Sequence, residues 1–135
     1  MHHDTNSTDF GFGKKVDMSF DDAVATVTAR LADEGFGVLT EIDVAGTMKK
    51  KLDEDMPPYR ILGACNPKLA HQAVSMLPEI GLLLPCNVVV RQDDEGTVHV
   101  SFLDPEKMLG LAGAEELEPF AKEVRERLTR VMQAV

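Results

Sequence analysis

The sequence predicts an α+β protein, a two-layer sandwich in which a mixed, mostly antiparallel sheet of about five strands carries its helices on one face. Three observations predict this class. Strand-like and helix-like segments alternate along the chain, one pair of strands is joined by a hairpin loop, and three segments carry an apolar stripe at helical spacing. The hairpin requires an antiparallel pair, which disfavours a purely parallel, doubly wound sheet.

The N-terminal half begins with a segment that the pattern leaves outside the core. Residues 1–8 are polar and lack apolar periodicity, which predicts a disordered tail, and residues 9–135 are then one domain. A strand is predicted over Asp9–Val16, where phenylalanines alternate with glycines. The first helix is predicted from the N-cap Ser19 to about Glu34, and Gly35 supplies its left-handed stop.

The central elements are predicted from alternation and from capping residues. A strand is expected over residues 36–44, a short helix from Thr47, and a second strand over residues 59–64. Asn66-Pro67 then begins a helix that ends near Pro78. The almost continuously apolar stretch 81–90 predicts a strand covered on both faces, in which Pro85 requires a bulge or an unpaired side.

The C-terminal elements have clearer signals. A hairpin loop is predicted at Asp93–Gly96, and its return strand alternates over Val98–Phe102. Asp104-Pro105 begins a short helical turn that runs through Leu109. The chain closes with its longest amphipathic helix, predicted over residues 114–135.

Composition excludes several classes of function. The chain has 14 basic against 23 acidic residues, a net charge of −9, which disfavours binding to nucleic acid or to an anionic membrane. Apolar runs such as Ile80–Leu84 are far shorter than the roughly 20 residues that span a bilayer, and no signal sequence opens the chain. We therefore expect a cytoplasmic protein whose two cysteines are reduced.

Two Cys-Asn pairs are the first candidate site, because Cys65-Asn66 and Cys86-Asn87 both fall at strand ends or irregularities. Two neighbouring thiols could form a disulfide or share a metal, whereas small buried cysteines are also common core residues. The histidines, among them His71 and His99, do not have the spacing of a metal site. The sequence predicts no metal and no cofactor.

A second candidate site combines acid, base and cation. Glu41 and Asp43 project from one face of a strand, and Tyr59-Arg60 follows a lysine-rich segment. Such groups could perform acid–base catalysis if burial tuned their pKa values. The alternative is a solvated sheet edge beside an exposed helix. No nucleophile elbow and no phosphate-binding loop is present.

Three longer motifs carry a family resemblance. They are Gly35–Val44, Tyr59–Pro67 and Pro78–Val88. Together they resemble the domain of unknown function 302 (DUF302) family over about Asp9–Gln133. The resemblance implies a compact, dimeric α+β domain and no defined activity. The family's marked positions fall on eleven residues of this sequence: Glu41, Asp43, Lys51, Tyr59, Arg60, Cys65, Asn66, Pro67, Pro85, Cys86 and Asn87.

Three hypotheses about function follow from the sequence. The first is a non-enzymatic homodimeric module that binds a small apolar ligand or a protein partner, with a pocket formed by the eight residues Glu41, Asp43, Tyr59, Arg60, Cys65, Asn66, Cys86 and Asn87. The second is a thiol-redox or metal-binding protein that uses the two cysteines, with His71 or His99. The third is an acid–base enzyme that uses Asp43 or Glu41 with Tyr59. Catalytic residues are not assigned.

Overall fold

Six strands form one antiparallel sheet in this structure, a computed structural model that describes residues 5–8 and 10–135. Their spatial order is β1-β2-β6-β5-β4-β3. The strands are β1 (Thr5–Ser7), β2 (Gly11–Val16), β3 (Gly37–Asp43), β4 (Tyr59–Cys65), β5 (Cys86–Gln92) and β6 (Val98–Leu103). The α+β class is confirmed. Every described strand pair is antiparallel, so the sheet is not mixed within that part of the chain.

In the part of the chain that the structure describes, five α-helices and two short 3-10 helices accompany the sheet. The α-helices are α1 (Phe20–Asp33), α2 (Val44–Leu52), α3 (Pro67–Met76), α4 (Pro105–Ala112) and α5 (Glu118–Ala134), and the 3-10 helices are Pro78–Leu83 and Glu115–Leu117. Within the described ranges 5–8 and 10–135, no helix is long and apolar enough to span a membrane.

The additional strand lies in the segment that was predicted to be a disordered tail. Thr5–Ser7 pairs with β2 at one edge of the sheet. Residues 1–4, and Asp9 at the start of the predicted first strand, lie outside the described residues.

The main core lies between one face of the sheet, the helix face, and helices α1 and α5. Its fully buried side chains alternate along the strands and repeat at helical spacing on the helices. They include Val27, Leu31, Leu62, Val88, Val90, Val100, Phe102, Leu128 and Val131. Burial of the strand side chains in this set is the main reason for the strand register, because a one-residue slip would move the side chains of the slipped strand to the opposite face.

Helix termini follow the predicted capping residues with one exception. Ser19, Asn66 and Asp104 each accept backbone hydrogen bonds at the start of α1, α3 and α4, as predicted. The predicted start of α2 at Thr47 is wrong. Asp43 caps that helix instead, because its carboxylate accepts a hydrogen bond of 2.9 Å from the amide of Gly46.

The predicted strand over residues 81–90 is the largest error in the secondary structure. Residues Pro78–Leu83 form a 3-10 helix, and β5 begins only at Cys86. Pro85 therefore precedes the strand and needs no bulge within it, because a proline at the entry to a strand removes no ladder hydrogen bond. The apolar run 81–90 is therefore divided between two secondary-structure elements, the end of the 3-10 helix and the start of β5.

A second, smaller cluster of buried side chains lies at the end of the sheet. It comprises Ala73, Ile80, Ala114 and Leu117 and is formed by α3, α4 and the two 3-10 helices. We refer to these segments, residues 67–84 and 105–117, as the cap. The cap covers the C-terminal ends of β4 and β6 and the start of β5.

The opposite face of the sheet, which we call the open face, carries mainly half-buried and exposed side chains. Alternation and register place Tyr59, Ile61, Asn87, Val89, Arg91, Ser101 and Leu103 there, together with the buried His99. This arrangement agrees with the prediction that the helices pack mainly against one face.

Candidate functional site

An apolar cavity of about 70 Å³ lies between the cap, the end of the sheet and α5. The strands contribute Ala64, Cys65 and Cys86 to its wall. The cap contributes most of the rest, including Leu69, Ala70, Ala73, Ile80, Leu83, Leu84, Met108, Leu109 and Leu117. No charged side chain lines it among the described residues.

Small side chains create this space. Ala64 on β4, Ala70 and Ala73 on α3, and Ala121 on α5 all line the cavity. Leucine or phenylalanine at these positions would fill it, whereas alanine leaves a gap because the surrounding backbone does not collapse completely. The cavity is therefore a consequence of the sequence at four positions on three elements.

The two cysteines are free and line this same cavity. Cys86 is buried, and Cys65 is half-buried at the junction between β4 and α3. Burial, with a smaller contribution from Cys65, raises the pKa of the Cys86 thiol to about 11. Burial also raises the pKa of Cys65. Both groups are therefore protonated at neutral pH, which is unfavourable for nucleophilic or metal-binding thiolate chemistry.

The two asparagines of the Cys-Asn pairs have different surroundings. The side chain of Asn66 accepts a hydrogen bond of 3.1 Å from the amide of Leu69 and caps α3. Its amide nitrogen also lies against Gly35, where a β-carbon would come within 2.9 Å of it and where φ is +85°. Asn87, in contrast, is exposed on the open face. The two Cys-Asn pairs therefore differ in the structure. Asn66 caps a helix, whereas Asn87 faces solvent.

The acidic and aromatic candidates lie apart from the cavity. Glu41 accepts a hydrogen bond of 3.0 Å from Arg60, whose guanidinium lies over the ring of Phe20 at 5.3 Å. Asp43 caps α2. Both carboxylates are exposed on the edge strand β3, and neither lines a described cavity. Acid–base catalysis needs a closed cleft, so this arrangement does not favour it.

The remaining candidates are also separated from the cysteines. Tyr59 lies on the open face, and Lys51 and His71 are exposed on α2 and α3. His99 is buried, and its Nε2 atom lies within hydrogen-bonding distance, 2.8 Å, of a carboxylate oxygen of Asp93. No group of three potential metal ligands occurs among the residues that the structure describes. The eight residues proposed from sequence thus occupy three places: the cavity, the β3 edge and the open face.

Sequence reasoning missed most of the cavity wall. Leu69, Ile80, Leu109, Leu117 and Phe120 all line it. Apolar periodicity identifies such residues as buried, but it does not distinguish a filled core from one that leaves a gap. A usable signal is the density of alanine at buried helix positions beside the two cysteines.

Comparisons with known proteins agree with this architecture. The sequence model described as "Domain of unknown function DUF302" matches residues 12–135. A crystal structure of an uncharacterized conserved protein DUF302 from Bacillus stearothermophilus is similar, with a TM-score of 0.86 and 26% sequence identity. The similarity covers 93% of this chain and 97% of that one. The comparison with curated proteins finds no match.

Proposed function

The chain belongs to the DUF302 family, and on that premise we propose that it is a binding module, not an enzyme, and that it holds a small apolar ligand in the cavity under the cap. The main support for this proposal is the chemical character of the side chains that line the cavity. The wall consists almost entirely of aliphatic, aromatic and thiol groups, and the polar side chain of Asn66 is already engaged as a helix cap. Such a wall favours an apolar ligand because a polar group would lose its hydrogen bonds to water there.

The size of the cavity limits what it accepts in this conformation. A volume of about 70 Å³ is about half that of a cavity of roughly 150 Å³ that binds benzene or xenon. Drug-sized ligands occupy pockets of about 300–1,000 Å³. A ligand larger than a few heavy atoms therefore requires the cap to move away from the sheet.

The cap is the part of the wall best suited to such movement. It has its own small cluster of buried residues, separate from the main core. It also exposes large apolar side chains, with Leu82 at 82% and Leu111 at 80% of their full accessible area. Segments with few buried apolar contacts open at lower free energy than a main core.

Xenon dissolved under pressure is a suitable first probe because it is apolar and monatomic. We expect amide chemical shifts around Ala64, Ala73 and Ala121 to change on xenon addition. In Ala73→Leu these changes should disappear, because the added side chain fills the cavity. Ala29→Leu is the matched control, since Ala29 is exposed on α1. Shifts that persist in Ala73→Leu, or that scatter over the surface, would contradict the proposal.

We propose further that the module is a homodimer joined along β3. This strand is seven residues long and lies at an edge of the sheet, where no other strand of the described residues pairs with its outer backbone groups. Leu39 and Ile42 are 66% and 48% exposed on it. The strand has neither the proline nor the lysine that usually protects an edge from pairing.

The mass of the protein in solution tests the dimer. We expect twice the chain mass by light scattering, and a single chain mass for Leu39→Lys. Leu82→Lys is the control, because it places the same charge on a leucine of the cap that is also largely exposed. A monomeric wild-type protein would refute the dimer without affecting the cavity proposal.

A further inference from the structure

The open face contains a second concave pocket, of about 380 Å³, that lies outside the cavity described above. Its volume falls within the range of about 300–1,000 Å³ that is typical of small-molecule sites. The side chains that matter for recognition are Phe10, Tyr59, Asn87, Val89, Arg91 and Ser101.

Strand register arranges the floor of this pocket in rows. Tyr59 is opposite Arg91 on the neighbouring strand, and Val89 is opposite Ser101. Directly paired residues of an antiparallel ladder lie on the same face within about 5.5 Å, so Tyr59 and Arg91 form one row and Val89 and Ser101 form another. Gly11 on β2 also lines the pocket and adds no side chain to it. The result is a depression with polar and apolar groups side by side.

Arg91 is the only charged side chain that lines this pocket among the described residues. It is half-buried, and within ranges 5–8 and 10–135 its guanidinium forms no hydrogen bond or ion pair. The other five arginines of the chain each pair with a carboxylate: Arg30, Arg60, Arg125, Arg127 and Arg130. Among the described residues, Arg91 is thus the arginine whose charge no carboxylate of the protein pairs with.

The chemistry of these groups specifies a ligand class. A guanidinium presents a planar fork that matches a carboxylate, and Asn87, Ser101 and Tyr59 carry additional hydrogen-bond donors. The rings of Phe10 and Tyr59 and the side chain of Val89 offer apolar surface for the rest of the molecule. We propose that the open face binds a small organic carboxylate with a planar, apolar body, and that Arg91 pairs with its carboxylate.

Benzoate is the probe that tests this site, with benzamide as its neutral counterpart of similar shape. We expect benzoate to shift the amide signals of residues 88–91 and 99–103. We expect benzamide to bind at least about tenfold more weakly than benzoate, because it lacks the charge that the guanidinium recognises. Benzamide binding as tight as benzoate would overturn the proposal.

Three variants make the test specific to Arg91. Arg91→Gln should weaken benzoate binding by about tenfold or more, and Arg91→Lys should lose part of the affinity because it keeps the charge without the fork. Arg130→Gln, which removes the same charge from an exposed position on α5, should leave the affinity unchanged. The amide spectrum of each variant reports whether it folds.

The result that would overturn the inference is benzoate binding that Arg91→Gln does not change, or the absence of any shift on the open face. If Arg91→Gln instead changes the mass of the protein in solution, a second copy occupies this face and the carboxylate site is refuted. The xenon experiment reports on the cavity under the cap, so the two proposals can fail independently.

Discussion

The main core and the cap are built from the same kinds of residues but differ in how completely they fill space. In the main core, a continuous set of side chains from four strands and two helices is buried to within a few per cent. In the cap, the cluster of buried apolar side chains has four members, and it borders a cavity. The difference indicates that the sheet with α1 and α5 contributes most to the stability of the fold, whereas the cap leaves the space that we propose as the ligand site.

One buried carboxylate joins the two regions. Asp104 is 2% exposed, caps α4 through the amides of Glu106 and Lys107, and pairs with Arg125 of α5 over 3.0 Å. The guanidinium of Arg125 lies over the ring of Phe12 in the main core at 4.6 Å. The cap is therefore connected to the core by a specific polar contact as well as by apolar packing.

Two fully buried leucines, one in the main core and one in the cap, should differ in how much stability is lost when each is replaced by alanine. Leu62→Ala in the main core should lower the free energy of unfolding by about 4 kcal/mol, because the sheet cannot collapse into the vacated space. Leu117→Ala in the cap should lower it by about 2 kcal/mol, because the neighbouring cavity already allows the cap to rearrange. Urea unfolding of both variants measures this difference. Equal losses would show that the two regions are equally rigid.

Substitution of Asp104 should remove the polar contact between the cap and the main core. Asp104→Ala should destabilise the protein by about 3 kcal/mol, because it removes a helix cap and leaves Arg125 without its partner. Asp104→Asn, which retains a capping oxygen but loses the charge, should cost less. Thermal unfolding of both variants tests this order. A negligible effect of Asp104→Ala would mean that apolar packing alone holds the cap in place.

The free energy of unfolding should depend on pH in the alkaline range because of Cys86. Because burial raises the pKa of Cys86 from about 9 to about 11, the folded protein holds this proton more tightly than the unfolded chain does. The resulting stabilisation is complete below pH 9 and is lost as the pH rises through 11, with a slope of up to about 1.4 kcal/mol per pH unit. Urea unfolding between pH 8 and 11 should show this slope in the wild-type protein. The slope should decrease in Cys86→Ala, and an unchanged slope would refute the assignment to this thiol.

The smallest expected effect is on the outer surface of the cap. Leu82→Ser should change the free energy of unfolding by less than about 0.5 kcal/mol, because this side chain is almost fully exposed. Thermal unfolding at two protein concentrations measures it. A larger loss that depends on concentration would show that another subunit covers the cap.

The amino-acid sequence predicts the main core better than the cap, for physical reasons. Local signals such as Ser19 as a helix cap, Gly35 as a stop and the alternation over Val98–Phe102 are all correct in the structure. These signals depend on neighbours in the chain. The apolar run 81–90 contains no such signal, because a buried strand and a buried helical segment have the same apolar composition.

The candidate site was harder to predict because it depends on space rather than on residue type. The sequence identified Cys65 and Cys86, which do share a cavity, but it also grouped them with Glu41 and Tyr59, which lie elsewhere. The distance between two strands at a given residue depends on register and on the lengths of intervening helices. Those quantities are properties of the assembled sheet and cannot be derived from motif spacing.

Native-state hydrogen exchange with and without xenon compares the main core and the cap in one molecule, and so tests whether the cap opens more easily than the core and holds an apolar ligand. We expect amides of α3 to exchange through local opening at a lower free energy than amides of β5, and we expect xenon to slow exchange in α3 selectively. The same exchange free energy in both regions, with no effect of xenon on either, would contradict both expectations.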